Sequence, residues 1–239
     1  MSRIDISKKV LIITLLIFGV LATAFTLTHN MQLSNFLELE QVDTLENIER
    51  VQNAISTEQG YLDRTVQDWA CWNDTYHFVE DKNQKYKDVN LQNQTLAGIK
   101  VNVMLFVNDS GSLVSSKSVD IYTGEEKPIP EKLLRMVEDG TLLSKSENDK
   151  KSGFILLDEN PMFISCHPIL TTKYNGPIKG TLIFGRYFDD KLLNSLKEAT
   201  QSSLLMCRVD RAMPSDFQTN FKIFSDSSGR PIVKPLSED

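Results

Sequence analysis

The 239 residues carry 26 lysines and arginines against 32 aspartates and glutamates, a formal net charge of −6. With no basic stripe to neutralise phosphates, the balance argues against nucleic acid as a partner. Cys71, Cys166 and Cys207 are too few and too scattered for a disulfide framework or a C-x-x-C zinc site.

The first element is an uncharged run, VLIITLLIFGVLATAFTL, from Val10 to Leu27. At about 1.5 Å per residue it reaches roughly 27 Å, enough for a thin hydrocarbon core, or with Thr28 an ordinary one. Arg3, Lys8 and Lys9 precede the run, and the next basic residue is Arg50. This asymmetry predicts a single-pass protein of the cell membrane, its amino terminus cytoplasmic and its bulk extracellular or periplasmic. Ala22-Thr23-Ala24 allows a second reading, a cleaved signal peptide, but the apolar run is longer than a usual signal core.

From Asn30 to Asp81 the chain has no proline, and apolar residues recur from Leu33 through Ile55, Leu62, Val66, Trp69 and Trp72 to Tyr76. The steps are threes and fours with one of seven, a single helical stripe. Glu46, Glu49, Arg50, Glu58, Asp63 and Arg64 are read as lying off it. The pattern predicts the membrane helix continuing as a stalk of roughly 70 Å, its narrow stripe suited to a homodimeric coiled coil. The alternative is two shorter helices hinged near Gly60.

Beyond Asp81 an alternating strand places Val101, Val103, Leu105 and Val107 on one face, and Asn108–Gly111 (NDSG) marks a turn into a returning strand. PEKLLRMVEDG reads as a helix between Pro130 and Gly140, and GFILLD, FISCHPIL and GTLIFGRYF as strands. DDKLLNSLKEA is a helix capped by Asp189 or Asp190, SLLMCRVD a further strand, and the tail is polar. Strands joined by short turns predict an α+β domain, a PAS/Cache-like antiparallel sheet flanked by helices. One bridge, Cys166–Cys207, is open to it; the other reading keeps all three cysteines as small buried residues.

DWACWNDTYHFV, from Asp68 to Val79, is the densest stretch. On a continuous helix Trp69, Trp72, Asn73 and Tyr76 fall on one face, with Asp74 and Phe78 on the other. That face predicts an aromatic plate seating the stalk on the sheet, compatible with ligand contact. Asp74 either caps a helix restarted at Thr75 or meets a cation, for which Arg186 is the candidate. Arg186 shares strand parity with Leu182 and Phe184, and a guanidinium facing a core needs an acidic partner from the protein or a ligand. Trp69, Trp72, Asp74, Tyr76, His167 and Arg186 are therefore the candidate ligand-binding residues. Catalysis is not expected: His29, His77 and His167 are the only histidines, and no nucleophile, phosphate-loop or zinc-hydrolase motif occurs. No metal or cofactor is called for.

DWACWNDTYHFV, the segment YKDVNLQNQTLAGIKVNVMLFVNDSGSLV, and HPILTTKYNGPIKGTLIFGRYFDDKLL together resemble the fourth family of CHASE domains (cyclases/histidine kinases associated sensory extracellular). The likeness covers about Leu45 to Glu198, with Asn73 where the commonest form of the first motif has Asp. It implies an exported, Cache-like sensor module with a histidine kinase or cyclase as output or partner and an unknown small ligand. The expected divisions are 1–9 cytoplasmic, 10–28 transmembrane helix, 29–67 stalk, 68–200 sensor domain, and 201–239 a C-terminal strand and polar tail. No second long apolar segment follows Gly180, so the expectation is either a fragment or a single-span protein acting through a partner. The other functional class is an anchored ectodomain that binds another protein without a small ligand. Three N-x-[ST] sequons, at Asn73, Asn93 and Asn108, fit an exported surface.

Overall fold

A computed structural model describes residues 6–157, 160–204, 206, 221–225 and 231–235. The chain divides into two units, Met1–Arg50 and Val51–Asp239, and helix α1 (Ile6–Ala70) contributes to both. In the first unit the segment Lys9–His29 is long and apolar enough to cross a membrane, and its side chains are uncovered. Its threonines fit that role. The hydroxyls of Thr14, Thr23 and Thr28 donate to the carbonyls of Val10, Gly19 and Ala24 one turn back, so none needs water.

The second unit is built on a five-stranded sheet of β1 (Val103–Asn108), β2 (Leu113–Ser118), β3 (Lys151–Leu157), β4 (Asn160–Pro168) and β5 (Gly180–Tyr187). The order is β2-β1-β5-β4-β3, and every pairing is antiparallel. Both faces are covered, which explains why the central strands read as nearly continuous apolar runs. On one face Val103, Leu105, Val107, Met162, Ile164 and Ile183 pack against Leu133 and Val137 of α5 (Glu131–Glu138). On the other, Met104, Phe106, Phe163, Leu182 and Phe184 pack against Leu62, Val66 and Ala70 of α1, Phe78, and α6 (Asp190–Thr200). Val101 belongs to this second core rather than sharing a face with Val103. It precedes β1, just after Lys100 adopts a left-handed conformation (φ 55°), and its N–H donates to Leu96 O.

The predicted caps are in place. Asp189 accepts from Leu192 N at 2.8 Å and opens α6, while Pro130 precedes α5 and Gly140 (φ 78°) follows it. At the NDSG turn Asn108 Oδ1 accepts from Ser112 N at 2.8 Å, and Gly111 takes φ 79°. Between α1 and β1 lie three short helices, α2 (Asn73–Asp81), α3 (Gln84–Asn90) and α4 (Asn93–Gly98), of which the last two were not anticipated. The signal for α3 was Asn83, whose side chain caps it by accepting from Tyr86 N at 2.8 Å. Asn93 ties α4 to the loop after β2 by donating to Gly124 O at 2.8 Å.

Of the expected strand SLLMCRVD only Ser203, Leu204 and Met206 are described, without regular structure, and the rest, Cys207 included, lies outside the described residues. The tail, read from the sequence as polar, contains a two-stranded antiparallel pair, β6 (Phe221–Ser225) and β7 (Pro231–Pro235). Gly180 makes β5 possible at its first residue. A Cβ there would lie 1.9 Å from Val107 O, so β1 and β5 meet this closely only because the position is glycine.

Candidate functional site

The aromatic motif does not form one helix. α1 ends at Ala70, Cys71 turns, and α2 begins at Asn73 behind an extended Trp72 (φ −110°, ψ 132°). This break rotates everything after it out of phase with the stripe, so the predicted common face dissolves. Trp69 still meets the sheet, edge-on to Phe184 with centroids 6.0 Å apart. Trp72 packs on Trp69 and Tyr86 and is 38% exposed. In α2 the buried residues are Thr75, Phe78 and Val79, so Phe78 faces the core instead of lying opposite it. Phe78 stacks on Tyr86 at 4.2 Å and meets the edge of Phe106 at 5.2 Å. The Thr75 and Tyr86 hydroxyls are 2.7 Å apart.

The polar members of the motif grip the loop between β4 and β5. Asn73 makes two contacts to Thr172: its N–H donates to Oγ1 at 3.2 Å, and its Oδ1 accepts from Thr172 N at 3.0 Å. The Tyr76 hydroxyl donates to Pro177 O at 3.1 Å, and Lys179, 5.7 Å from the Tyr76 ring centroid, pairs with Glu80. Leu170 N–H donates to Ala70 O at 3.1 Å, satisfying a carbonyl at the end of α1.

Asp74 is exposed, in the first turn of α2, and makes no capping contact. It complements the helix dipole there. It does not meet Arg186, as the sequence had suggested. The partner of Arg186 is Glu58, on α1, in an ion pair whose arginine side chain is 7% exposed. Asp63, five residues further along α1, forms the second polar tie. Its Oδ1 accepts from Ser165 Oγ at 2.7 Å and from His167 Nε2 at 2.8 Å, both on β4. The His167 side chain is 1% exposed. The hydrogen bond from His167 is the main cause holding the Asp63 carboxyl below the usual carboxylate range. Burial opposes it, and the Ser165 hydrogen bond and Lys150 add to it.

Glu58 and Asp63 were both read as lying off the stripe, yet both carboxylates face the sheet. The missed signal was the sevenfold step from Ile55 to Leu62, where position 58 stands at the vacant place. Arg186 and His167 were identified, and the structure puts them on the same sheet face as Phe163, Leu182 and Phe184, since Arg186 is opposite Phe163 and His167 opposite Leu182.

Cys166 is a free, buried thiol, and Cys207, its suggested bridge partner, lies outside the described residues. Burial pushes Cys166 up to about 12 and also raises Cys71. Among the described residues no cluster of three or more His, Cys, Asp or Glu could hold a metal ion. What the arrangement can do is fix or release α1 on the sheet through two ionisable ties.

The CHASE4 domain profile matches residues 54–206, well over half of the chain. Over 214 residues the chain is 28% identical to the methanogenesis regulatory histidine kinase FilI of Methanothrix harundinacea (strain 6Ac). That match covers 88% of this chain and 24% of the relative, so the chain spans about a quarter of the kinase's length. Among solved structures it is similar to the extracellular domain of vpHK1S-Z8, assigned as a histidine kinase. There the TM-score is 0.49 and the identity 14%, over 64% of this chain and 58% of that one. The Vibrio cholerae LuxQ periplasmic domain gives a TM-score of 0.45 and 9% identity over 80% and 97%. With the profile running from the sheet-facing part of α1 to just beyond α6, the chain belongs to the CHASE4 domain family and is an extracellular sensor domain of signal transduction.

Proposed function

We propose that this sensor signals by changing how α1 is held on the sheet, with its amino terminus in the cytoplasm and residues beyond about Asn30 outside. The observation that carries the reading is the Asp63 tie. One helix contains both the membrane-length segment Lys9–His29 and a carboxylate received by Ser165 and His167 of β4. A cue that altered β4 or the β4–β5 loop would shift the balance between tied and untied α1. Trp69 on Phe184 and the Glu58–Arg186 pair bias the same contact. The output is a histidine kinase, as in the relative FilI, joined to this chain or acting as its partner, and the chain itself is not catalytic. The stripe of α1 pairs two copies.

The test is a chimaera in which the chain drives a histidine kinase output domain. Asp63→Asn keeps the shape and removes the charge that His167 holds. The expected result is a changed basal or stimulated kinase output with the domain still folded. Output indistinguishable from the parent, in a variant whose melting confirms a weakened tie, would remove the coupling role of Asp63.

A further inference from the structure

The two edges of the sheet are treated differently. At β2 the ladder with β1 shifts register between Phe106 and Val107, Lys117 pairs with Glu126, and Ser118 O accepts from Lys127 N at 2.9 Å. A bulge, a charge and a covering loop each close an edge strand to other strands. At β3, among the described residues, the register with β4 runs unbroken from Lys151–Cys166 to Leu157–Asn160, over the sequence KSGFILL. The one charge in that strand, Lys151, is turned to Leu143 O and Asp149. Which groups of β3 face outward follows from β4. Pro161 O accepts from Phe188 N at 2.9 Å, on the β5 side, so the opposed Leu156 directs its own N–H and C=O away from β4. By alternation Ser152, Phe154 and Leu156 all present these groups at the edge. Among the described residues only Lys132 Nζ reaches them, donating to Leu156 O at 2.7 Å, and a carbonyl oxygen keeps a second lone pair. Ser152 is exposed, and Phe154 and Leu156 are half-buried.

We propose that the β3 edge pairs antiparallel with the β3 edge of a second copy of the chain, about a two-fold axis at Phe154. Three outward residues centred on Phe154 make the strand its own complement. Ser152 lies opposite Leu156 of the second copy, and Phe154 opposite its equal. The pairing forms about six backbone hydrogen bonds and extends the aromatic row that Phe154 makes with Phe163, at 4.2 Å between centroids. Charge selects the occupant and its direction. The sequence runs from Lys150-Lys151 before the apolar centre to Asp158-Glu159 after it. Two antiparallel copies set the basic start of one against the acidic end of the other, whereas parallel copies would set like charges together. The interface is small, and it suits chains confined to one membrane. It is separate from pairing along α1 and does not depend on the role proposed for Asp63. Ser152 is nonetheless opposite Ser165, which holds Asp63, so the second copy would bear on the strand that ties α1.

The test uses the full chain in membranes with Cys207→Ser, Cys71 and Cys166 being buried. Differently tagged Ser152→Cys and Leu156→Cys chains are expressed together and oxidised. Opposed residues stand about 5.5 Å apart between Cα atoms, within disulfide reach, whereas like positions stand more than about 13 Å apart. A mixed disulfide is expected, with neither variant alone forming one above background. No mixed disulfide, or as much from either variant alone, would overturn the proposal. Hydrogen exchange of the unaltered chain gives a second measurement that needs no substitution. The Ser152, Phe154 and Leu156 amides are expected to exchange slowly in nanodiscs holding several chains and quickly in discs holding one. Gly153 and Ile155, bonded to β4, are expected to stay slow in both. Fast exchange of the three outward amides in both preparations would overturn the pairing. Slow exchange in single-chain discs would overturn it too, by assigning the edge to another segment of the same chain.

Discussion

Glu58 occupies the one step at which the apolar stripe of α1 skips a turn, and the skipped position is where the buried Arg186 needs a negative charge. Removing one member of such a pair leaves the other charge poorly solvated. Glu58→Gln is expected to cost about 3 kcal/mol, the low end for a buried pair because Glu58 keeps 29% exposure. The double replacement Glu58→Leu with Arg186→Met is expected to recover most of that loss in a urea titration. A loss no larger for the single change than for the double would show that the pair is not coupled. Asp63 gives a second outcome at this scale. Its folded carboxyl titrates below its unfolded value of about 3.9. The tie therefore stabilises fully above that pH and is lost as pH falls through the depressed folded value. Melting followed from neutral pH downward is expected to decline in this acid window, and Asp63→Asn should flatten part of the decline. An identical acid profile in the variant would contradict the assignment.

At the scale of elements, α1 runs unbroken through Gly60, which the sequence had offered as a hinge, and breaks at Cys71, which it had not. A Cβ at Gly60 would meet only the end of the Arg64 side chain at 3.4 Å, and the backbone there is helical. Gly60→Ala is expected to stabilise the unit by about 0.5–1 kcal/mol in thermal melts, and a destabilised variant would mean that the helix uses a bend there. The strands, α5, α6 and their caps were legible because alternation, Pro130, Gly140 and Asp189 are local signals. The partner of Arg186 was not, because a side chain's reach between layers has no sequence period. Four residues of spacing on a wheel assume a helix that never stops, so Phe78 was placed on the wrong face by a break two residues wide. Within the motif itself, Tyr76 and Asn73 carried the right chemistry toward a different target, a loop instead of a sheet.

On the scale of the whole molecule, the reading depends on pairing between copies along α1. Leu45 lies on the stripe and is 57% exposed, while its neighbour Glu46 is also exposed but off the stripe. In membranes carrying the chain with Cys207→Ser, Leu45→Cys is expected to form an oxidised dimer readily and Glu46→Cys to form far less. Cys71 and Cys166, both buried, should contribute little background. Equal yields at the two sites would remove the stripe as a dimer seam. The three sequon asparagines bear on how such material is made. Asn73 Oδ1 accepts from Thr172 N, Asn108 Oδ1 accepts from Ser112 N, and Asn93 Nδ2 donates to Gly124 O, so each side-chain amide already makes a contact within the fold. An oligosaccharide attached cotranslationally in a yeast or mammalian secretory pathway would take the Asn93 nitrogen from Gly124 O and crowd the contacts that the Asn73 and Asn108 oxygens make. Such a host would yield a population misassembled at the loop that α2 grips, whereas a bacterial or archaeal host without that transferase would leave all three side chains available to the protein.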